Sequence, residues 1–227
     1  MTAIFITATG TDIGKTFVAA GLIRHFRGMG CAVDACKPVV SGFNPATPET
    51  SDPGILLTAL GRPVTADEVA SISPWRFAAP LAPDLAARRE GLTLDFDTLV
   101  DFSHRAIRDH QGTLLIEGIG GIMVPLNEHH TVLDWMTALR APVLLVTGSY
   151  LGSISHTLTC LDVLRRHALA LRVLVVNQTP SSTVSTEDTV QTVARFANPI
   201  PVIGLPRHRA DSEGVTRGFM EQISSFL

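Results

Sequence analysis

Short apolar runs alternate with segments of helical spacing along most of this 227-residue chain. The runs are rich in β-branched and aliphatic residues and are bounded by turn residues, so they predict strands. The predicted strands are the run from Ile4 and the segments 32–36, 113–117, 142–146, 171–176 and 202–205. The predicted helices run from the loop ending at Thr16 to about residue 27, and then over 53–60, 83–89, 95–110, 132–140, 151–167, 185–196 and the C-terminal tail.

These strands are continuously apolar, which is typical of a parallel sheet with helices on both faces. The pattern predicts an α/β fold with a mostly parallel central sheet. Because the chain has no repeat, low-complexity tract or linker, we expect one domain over residues 1–227. Segment 39–53, rich in Gly, Pro, Ser and Thr, is predicted to be a functional loop, and segment 62–92 to be irregular apart from 83–89.

The most informative segment for chemistry follows the first strand. Residues 9–16 read Thr-Gly-Thr-Asp-Ile-Gly-Lys-Thr and lead from a strand into a helix. In this order, small residues let backbone N–H groups surround a phosphate and the helix N-terminus adds positive potential. Lys15 is predicted to reach the terminal phosphates of a nucleotide, and Thr16 to hold Mg²⁺. Thr9 stands where the strict pattern has glycine, so a plain strand–turn–helix joint is the alternative.

Composition excludes several other kinds of protein. The net charge of -3 gives no general attraction to nucleic acid or to an anionic membrane, so neither is an expected partner. No apolar run approaches the roughly 20 residues of a membrane span, and no signal peptide is evident at the N-terminus. The three cysteines form no metal-binding pattern and are predicted to be small buried apolar residues in a reducing compartment. We therefore expect a soluble cytoplasmic protein.

Polar residues end several of the predicted strands, at the edge where ligands bind in open α/β sheets. Glu117 precedes a Gly-Ile-Gly-Gly turn and could ligate Mg²⁺, although a strand-end acid facing water is the alternative. Lys37 could neutralise charge on a transferred phosphoryl group or simply be solvated. Asn177 could recognise an adenine edge or form an Asx turn. Asp52 precedes Pro53, and the local sequence favours a helix-capping role for it over a role in ligand binding.

Two further features are candidate ligand sites. The helix that begins near 151–155 could bind a carboxylate or phosphate with its free N–H groups, and an ordinary serine-rich cap is an equal interpretation. His129, His130 and His156 have no carboxylate or cysteine at ligand spacing, so they are interpreted as loop and helix-surface residues. The strand-end segment 205–211 does not show which residue would contact a ribose.

Together, these segments resemble the dethiobiotin synthetase family, the ATP-dependent ligases of biotin biosynthesis. The matching segments follow the family order and cover nearly the whole chain. They are 9–16, 36–42 (Cys-Lys-Pro-Val-Val-Ser-Gly), 51–52, 79–83, 117–121 (Glu-Gly-Ile-Gly-Gly) with 124–126, 151–156 and 176–177. The Lys-Pro-Val-Val-Ser-Gly and Glu-Gly-Ile-Gly-Gly segments are much more specific than the phosphate loop.

The resemblance implies a P-loop NTPase-like fold and a homodimer that acts on 7,8-diaminononanoate, CO₂ and Mg·ATP. It implies that Lys15 and Lys37 bracket the γ-phosphate and a substrate carbamate, with Thr11 as a third catalytic residue. Thr16, Asp52 and Glu117 would surround Mg²⁺, which changes the interpretation of Asp52 from cap to metal ligand. The implied nucleotide contacts are Thr9, Gly10, Thr11, Asp12, Ile13, Gly14, Lys15, Thr16, Phe17, Asn177 and Pro206, with no separate role for the Asp12 side chain. The implied substrate contacts are Ser41, Gly118, Leu151, Gly152 and Ser153, the last three across the dimer interface.

The chain departs from the family pattern at two places. Ala8 replaces a glycine that is common before the loop, and Ser155 replaces an asparagine that is typical of the helix start. Two alternatives to the ligase are a partition or positioning ATPase switch, and a related amidoligase or nucleotide-sensing domain. The switch is disfavoured because residues 8–13 contain no lysine and the C-terminal segment has Arg217 as its one basic residue.

Overall fold

The computed structural model describes residues 2–180, 182, 184–207 and 213–227, without the side chains of 213–215. Six strands form one sheet in the order β2-β5-β1-β6-β7-β8, and every adjacent pair is parallel. The strands are β1 Thr2–Ala8, β2 Val33–Cys36, β5 Thr113–Glu117, β6 Val143–Gly148, β7 Leu171–Asn177 and β8 Val202–Leu205. The prediction of a parallel sheet is therefore confirmed, and its six strands lie close to the predicted positions.

Helices flank this sheet and alternate with its strands. They are α1 Lys15–Gly28, α2 Asp52–Leu60, α3 Ala66–Ile72, α4 Pro83–Arg89, α5 Phe96–Asp109, α6 Val132–Leu139, α7 Ser153–Arg166, α8 Thr186–Ala197 and α9 Glu213–Ser224. Successive strand residues point to opposite faces of a sheet. Because every residue of β6 is buried, both faces of the sheet are covered at its centre.

Two segments were predicted wrongly as irregular. Strand β3 (Val39–Ser41) pairs in parallel with β4 (Trp75–Phe77) in a separate two-stranded sheet, and a 3₁₀ turn covers Pro48–Thr50. Helix α3 also lies in the segment predicted to be irregular, capped by the Thr65 hydroxyl, which accepts from the Glu68 N–H at 3.2 Å. Strands of three residues are too short to show a period, so their pairing depends on contacts that are distant in sequence.

Trp135 on α6 is among the largest fully buried side chains of the core. This fully buried indole donates from Nε1 to the Ser103 hydroxyl at 3.0 Å, and Ser103 in turn donates to the Leu99 carbonyl at 2.8 Å. The Trp135 ring meets the edge of Phe5 on β1, with the ring centroids 4.8 Å apart and the planes at 85°. The position of the Phe5 ring therefore depends on its contact with Trp135, and so does the position of any residue that packs against Phe5.

We expect Trp135→Phe to lower the free energy of unfolding by about 2 kcal/mol, since it loses a buried hydrogen bond and leaves a cavity. Trp75→Phe is the matched control, because Trp75 is only partly buried and its contact with Phe102 is looser, with centroids 5.8 Å apart. Urea unfolding followed by circular dichroism measures both variants. Equal losses in the two variants would contradict the role assigned to Trp135.

Two cysteines are buried as predicted, and the third is not. Burial raises the pKa of the Cys36 thiol well above its usual range and that of Cys160 to about 11. Cys31 is exposed, because it lies in the turn between α1 and β2, and its prediction as a buried residue was wrong. In the described part of the chain, no helix combines the length and the apolar character that a membrane crossing requires.

Candidate active site

The loop between β1 and α1 has the backbone geometry of an anion-binding loop. Gly14, immediately before α1, has φ of 102°, and Asp12 also lies in the left-handed region, with φ of 55°. No side chain caps α1, and its first turn carries no acidic residue. The N–H groups of that turn therefore remain able to bind phosphate oxygens.

Lys15 and Lys37 are the only lysines in the sequence, and both lie here. Lys15 is buried and its Nζ donates to the carbonyls of Gly120 at 3.0 Å and Gly10 at 3.4 Å. Burial, together with the charge of Lys37, lowers the pKa of Lys15 to about 8. Neighbouring carboxylates oppose that shift without cancelling it. A phosphate group beside Lys15 would favour its charged form.

Lys37 lies just beyond the end of β2, and its side chain is 2% exposed. Its Nζ contacts Glu117 Oε1 at 2.6 Å, Asp52 Oδ2 at 2.9 Å and the Gly118 carbonyl at 2.9 Å. Burial alone would lower the pKa of Lys37, but the charges and hydrogen bonds of Glu117 and Asp52 raise it above its ordinary value. Lys37 is therefore held as an ammonium, and the prediction that it could be a solvated lysine is wrong.

Thr16, Asp52 and Glu117, the three predicted metal ligands, lie together. The Thr16 hydroxyl is 2.9 Å from Asp52 Oδ1 and 2.8 Å from Glu117 Oε1, and it can donate to one of them at a time. Burial would raise the pKa of Asp52, but Lys37, the Thr16 hydroxyl and Lys15 together lower it below its usual value. Asp52 is therefore ionised at neutral pH.

Asp52 does not cap its helix, so the first interpretation from the local sequence was wrong. The cap of α2 is Ser51, whose hydroxyl accepts from the Gly54 N–H at 3.3 Å. Asp52 is the first residue of the helix, and its carboxylate faces Thr16 and Lys37. A carboxylate that is not used as a cap remains available for a cation.

The residues present fit a magnesium ion. Glu117 is 1% exposed, and its second oxygen, Oε2, is buried without a hydrogen-bond partner. Two carboxylates and a hydroxyl are the hard oxygen donors that Mg²⁺ prefers, usually with phosphate oxygens and water. Among residues that the structure describes, no three His, Cys, Asp or Glu side chains gather as a metal-binding group.

Gly118 is placed against the core by its lack of a side chain. A Cβ at this position would lie 2.8 Å from Cε1 of Phe5, whose ring also packs against Trp135. The close approach keeps the Gly118 carbonyl within reach of Lys37. A glycine is therefore required here by packing as well as by any contact with substrate.

Several of these groups line one cleft of about 430 Å³. It brings together many of the predicted residues, namely Thr11, Asp12, Gly14, Lys15, Thr16, Lys37, Ser41 and Asp52. It also includes residues to which the sequence analysis gave no site role, namely Val40, Gly42, Thr50, Ser51, Ile119 and Gly120. Five of these residues belong to matched segments, namely Val40, Gly42, Ser51, Ile119 and Gly120, whereas Thr50 enters the cleft from the unpredicted 3₁₀ turn.

Other predicted nucleotide contacts lie on the loop or beside it. Asn177 donates from Nδ2 to the Ile13 carbonyl at 2.8 Å, so it supports the loop directly. Pro206 follows Leu205, which is paired in register with Asn177. Phe17 is half-exposed on α1. Residues 208–211 of the predicted strand-end segment lie outside the described residues.

The predicted carboxylate-binding residues do not line this cleft. Leu151 is 81% exposed and Gly152 has φ of 98°, while Ser153 is buried as the first residue of α7. The helix therefore begins two residues later than predicted. Like α1, it has a left-handed glycine before it and no side-chain cap. Since α7 follows β6, its first turn lies at the same edge of the sheet as the phosphate loop.

Comparison with known proteins identifies the family. A model of an AAA domain family matches residues 2–211. An ATP-dependent dethiobiotin synthetase of Acidiphilium cryptum is 49% identical over 205 residues, which cover 89% of this chain and 92% of that protein. One from Methylobacterium nodulans is 48% identical, over 87% of this chain and 90% of its own length. The chain belongs to the ATP-dependent dethiobiotin synthetase family.

Solved structures agree on the fold. The cell division ATPase MinD of Pyrococcus furiosus aligns over the whole of both chains with a TM-score of 0.57 and 15% identity. MinD of Aquifex aeolicus gives a TM-score of 0.59 at 12% identity, over 99% of this chain and 98% of that chain. These likenesses confirm the P-loop NTPase fold. At such identities they do not favour a positioning switch over the dethiobiotin synthetase family.

Proposed function

We propose that this protein closes the ureido ring of dethiobiotin from 7,8-diaminononanoate, CO₂ and ATP. One amine of the substrate loses a proton and adds CO₂ to form a carbamate. A carbamate oxygen then attacks the γ-phosphorus of ATP, which forms a carbamic–phosphoric anhydride and releases ADP. The second amine attacks the carbamate carbon, loses a proton and expels phosphate as the ring closes.

The observation that carries this proposal is the convergence of both lysines of the chain on one cleft beside the phosphate loop. Phosphoryl transfer depends on positioning and on positive charge at the transferred group more than on covalent catalysis. Lys15 lies on the loop side and Lys37 on the side of β2 and β5, so a γ-phosphate between them would be bracketed. The family membership of the chain agrees with this chemistry.

Within this proposal, Thr16, Asp52 and Glu117 hold Mg²⁺, which when bound supplies charge to the β- and γ-phosphates. Ser41 and Thr11, which line the cleft, contact the diamine, and so does Gly118, which follows β5. The loop residues 9–17, with Asn177 and Pro206, bind ATP. In a homodimer, the start of α7 binds the carboxylate of the diamine that is held in the active site of the partner subunit. The whole chain acts as one cytoplasmic ligase domain.

The test is phosphate release from Mg·ATP in bicarbonate, with and without 7,8-diaminononanoate, combined with detection of dethiobiotin by mass. We expect release only with the diamine, together with the ring product, and none when the magnesium is chelated. Hydrolysis independent of the diamine would contradict the proposal and favour a switch. Nucleotide binding without turnover would also contradict it, and would favour a sensing domain.

A further inference from the structure

Three threonine hydroxyls connect the phosphate loop with the start of α7 through the interior. Thr9 Oγ1 is 3.0 Å from Thr147 Oγ1, which is 2.7 Å from Thr157 Oγ1. Thr157 Oγ1 is 2.7 Å from the Ser153 carbonyl. We name Thr9, Thr147 and Thr157 the threonine chain. It joins the two places that the proposed function assigns to nucleotide and to the substrate carboxylate.

The direction of every hydrogen bond in the threonine chain is determined. A carbonyl only accepts, so the single hydroxyl proton of Thr157 goes to Ser153. Thr157 must then accept from Thr147, and Thr147 must accept from Thr9. The Thr9 hydroxyl proton is thereby directed inward and is not available to a phosphate oxygen. Thr9 is therefore a supporting residue of the loop, and its backbone N–H is also used within the protein, since it donates to the Val146 carbonyl.

The large sheet places Thr9 beside Thr147. Ala8 on β1 is in register with Val146 on β6, which places Thr9 beside Thr147, and the Thr9 N–H donates to the Val146 carbonyl at 3.0 Å. Thr147 and Thr157 are fully buried, so water does not compete for their hydrogen bonds. A buried chain of satisfied hydroxyls specifies one relative position of the groups at its ends.

We infer that the threonine chain positions the first turn of α7 relative to the phosphate loop, with Thr147 as its central positioning residue. Nucleotide that orders the loop then also orders the helix start, and the two ligands bind with positive coupling. The consequence for catalysis rests on the proposed function, because it takes the helix start as the diamine carboxylate site. The mechanical link itself does not depend on that assignment.

The link is tested by hydrogen–deuterium exchange of peptides covering 151–157, with and without Mg·ADP. In the unchanged protein, Mg·ADP should slow exchange in this segment. Thr147→Val keeps the shape but removes the hydroxyl, so this protection should be lost, while Thr147→Ser should retain it. The matched control is Thr137→Val, whose hydroxyl donates only to the Leu133 carbonyl of its own helix, at 2.8 Å.

Equal protection in Thr147→Val and the unchanged protein, or none in the unchanged protein, would overturn the inference. If Thr147→Val does not fold, Thr157→Val cuts the threonine chain at its other buried member and should give the same loss. In kinetics, Thr147→Val should raise KM for 7,8-diaminononanoate roughly three- to tenfold with a smaller change in kcat. Absence of dethiobiotin with the unchanged protein would refute the proposed function. The hydrogen–deuterium exchange experiment would still show whether the phosphate loop and the start of α7 are coupled.

Discussion

Replacing Lys37 by alanine should reduce kcat by roughly 10²–10³-fold, the cost of removing one charged group that stabilises a transition state. Nucleotide binding should survive, because the loop and Lys15 remain in place. The ammonium of Lys37 is held in place by Glu117, Asp52 and the Gly118 carbonyl, so its removal takes a fixed positive charge out of the cleft. Steady-state phosphate release and titration with a fluorescent nucleotide analogue measure the two properties separately.

Two controls accompany Lys37→Ala. Lys37→Arg should stay nearly as slow, since a planar guanidinium does not fit the compact site of an ammonium. Arg62→Ala should keep full turnover, because Arg62 pairs with Asp34 at 3.4 Å and with Glu68, away from the cleft. Circular dichroism must show that Lys37→Ala is folded, since Glu117 loses its buried partner. Full activity in a folded Lys37→Ala protein would refute the catalytic role.

Replacing Gly14 by alanine should weaken nucleotide binding by about tenfold or more. At φ of 102° a side chain is strained by roughly 1–2 kcal/mol. The new Cβ would also lie 2.3 Å from Asn177 Nδ2, the group that holds the Ile13 carbonyl. The loop must therefore move away from the conformation that presents its N–H groups. Isothermal titration with Mg·ADP measures the loss.

The matched control for Gly14→Ala is Gly28→Ala at the other end of α1, where a new Cβ meets nothing within 4 Å. That variant should bind nucleotide normally and be at least as stable as the unchanged protein. Unaltered affinity in Gly14→Ala would show that the loop tolerates a side chain there, contrary to the close approach of Asn177.

Much of the fold and of the candidate site follows from local sequence. The strands of the large sheet are continuous apolar runs, and ligands bind at the carboxyl ends of such strands, so the sequence alone groups Lys15, Lys37 and Glu117. Their geometry agrees with that expectation. The roles of these residues in catalysis remain predictions until the variants are measured.

What local sequence does not supply depends on pairing between distant residues. Strands β3 and β4 are three residues each, and they exist because they pair with each other. The sequence does not distinguish a metal-binding role of Asp52 from a helix-capping role. The structure does, because Ser51 occupies the cap position. No sequence motif marks Thr147 or Thr157, because buried threonines are common in strands and helices. Their hydrogen bonds to each other and to Thr9 are visible only in the structure.

The contacts of the site also constrain the order of folding. The hydrogen bond between Thr16 and Glu117 spans 101 positions, and that between Asn177 and Ile13 spans 164. Such contacts form only after long loops have closed, which is slow relative to helix formation. In refolding experiments, helical circular dichroism should therefore recover before nucleotide binding does. A chain released from the ribosome before Asn177 would carry the loop without these partners and should bind nucleotide weakly.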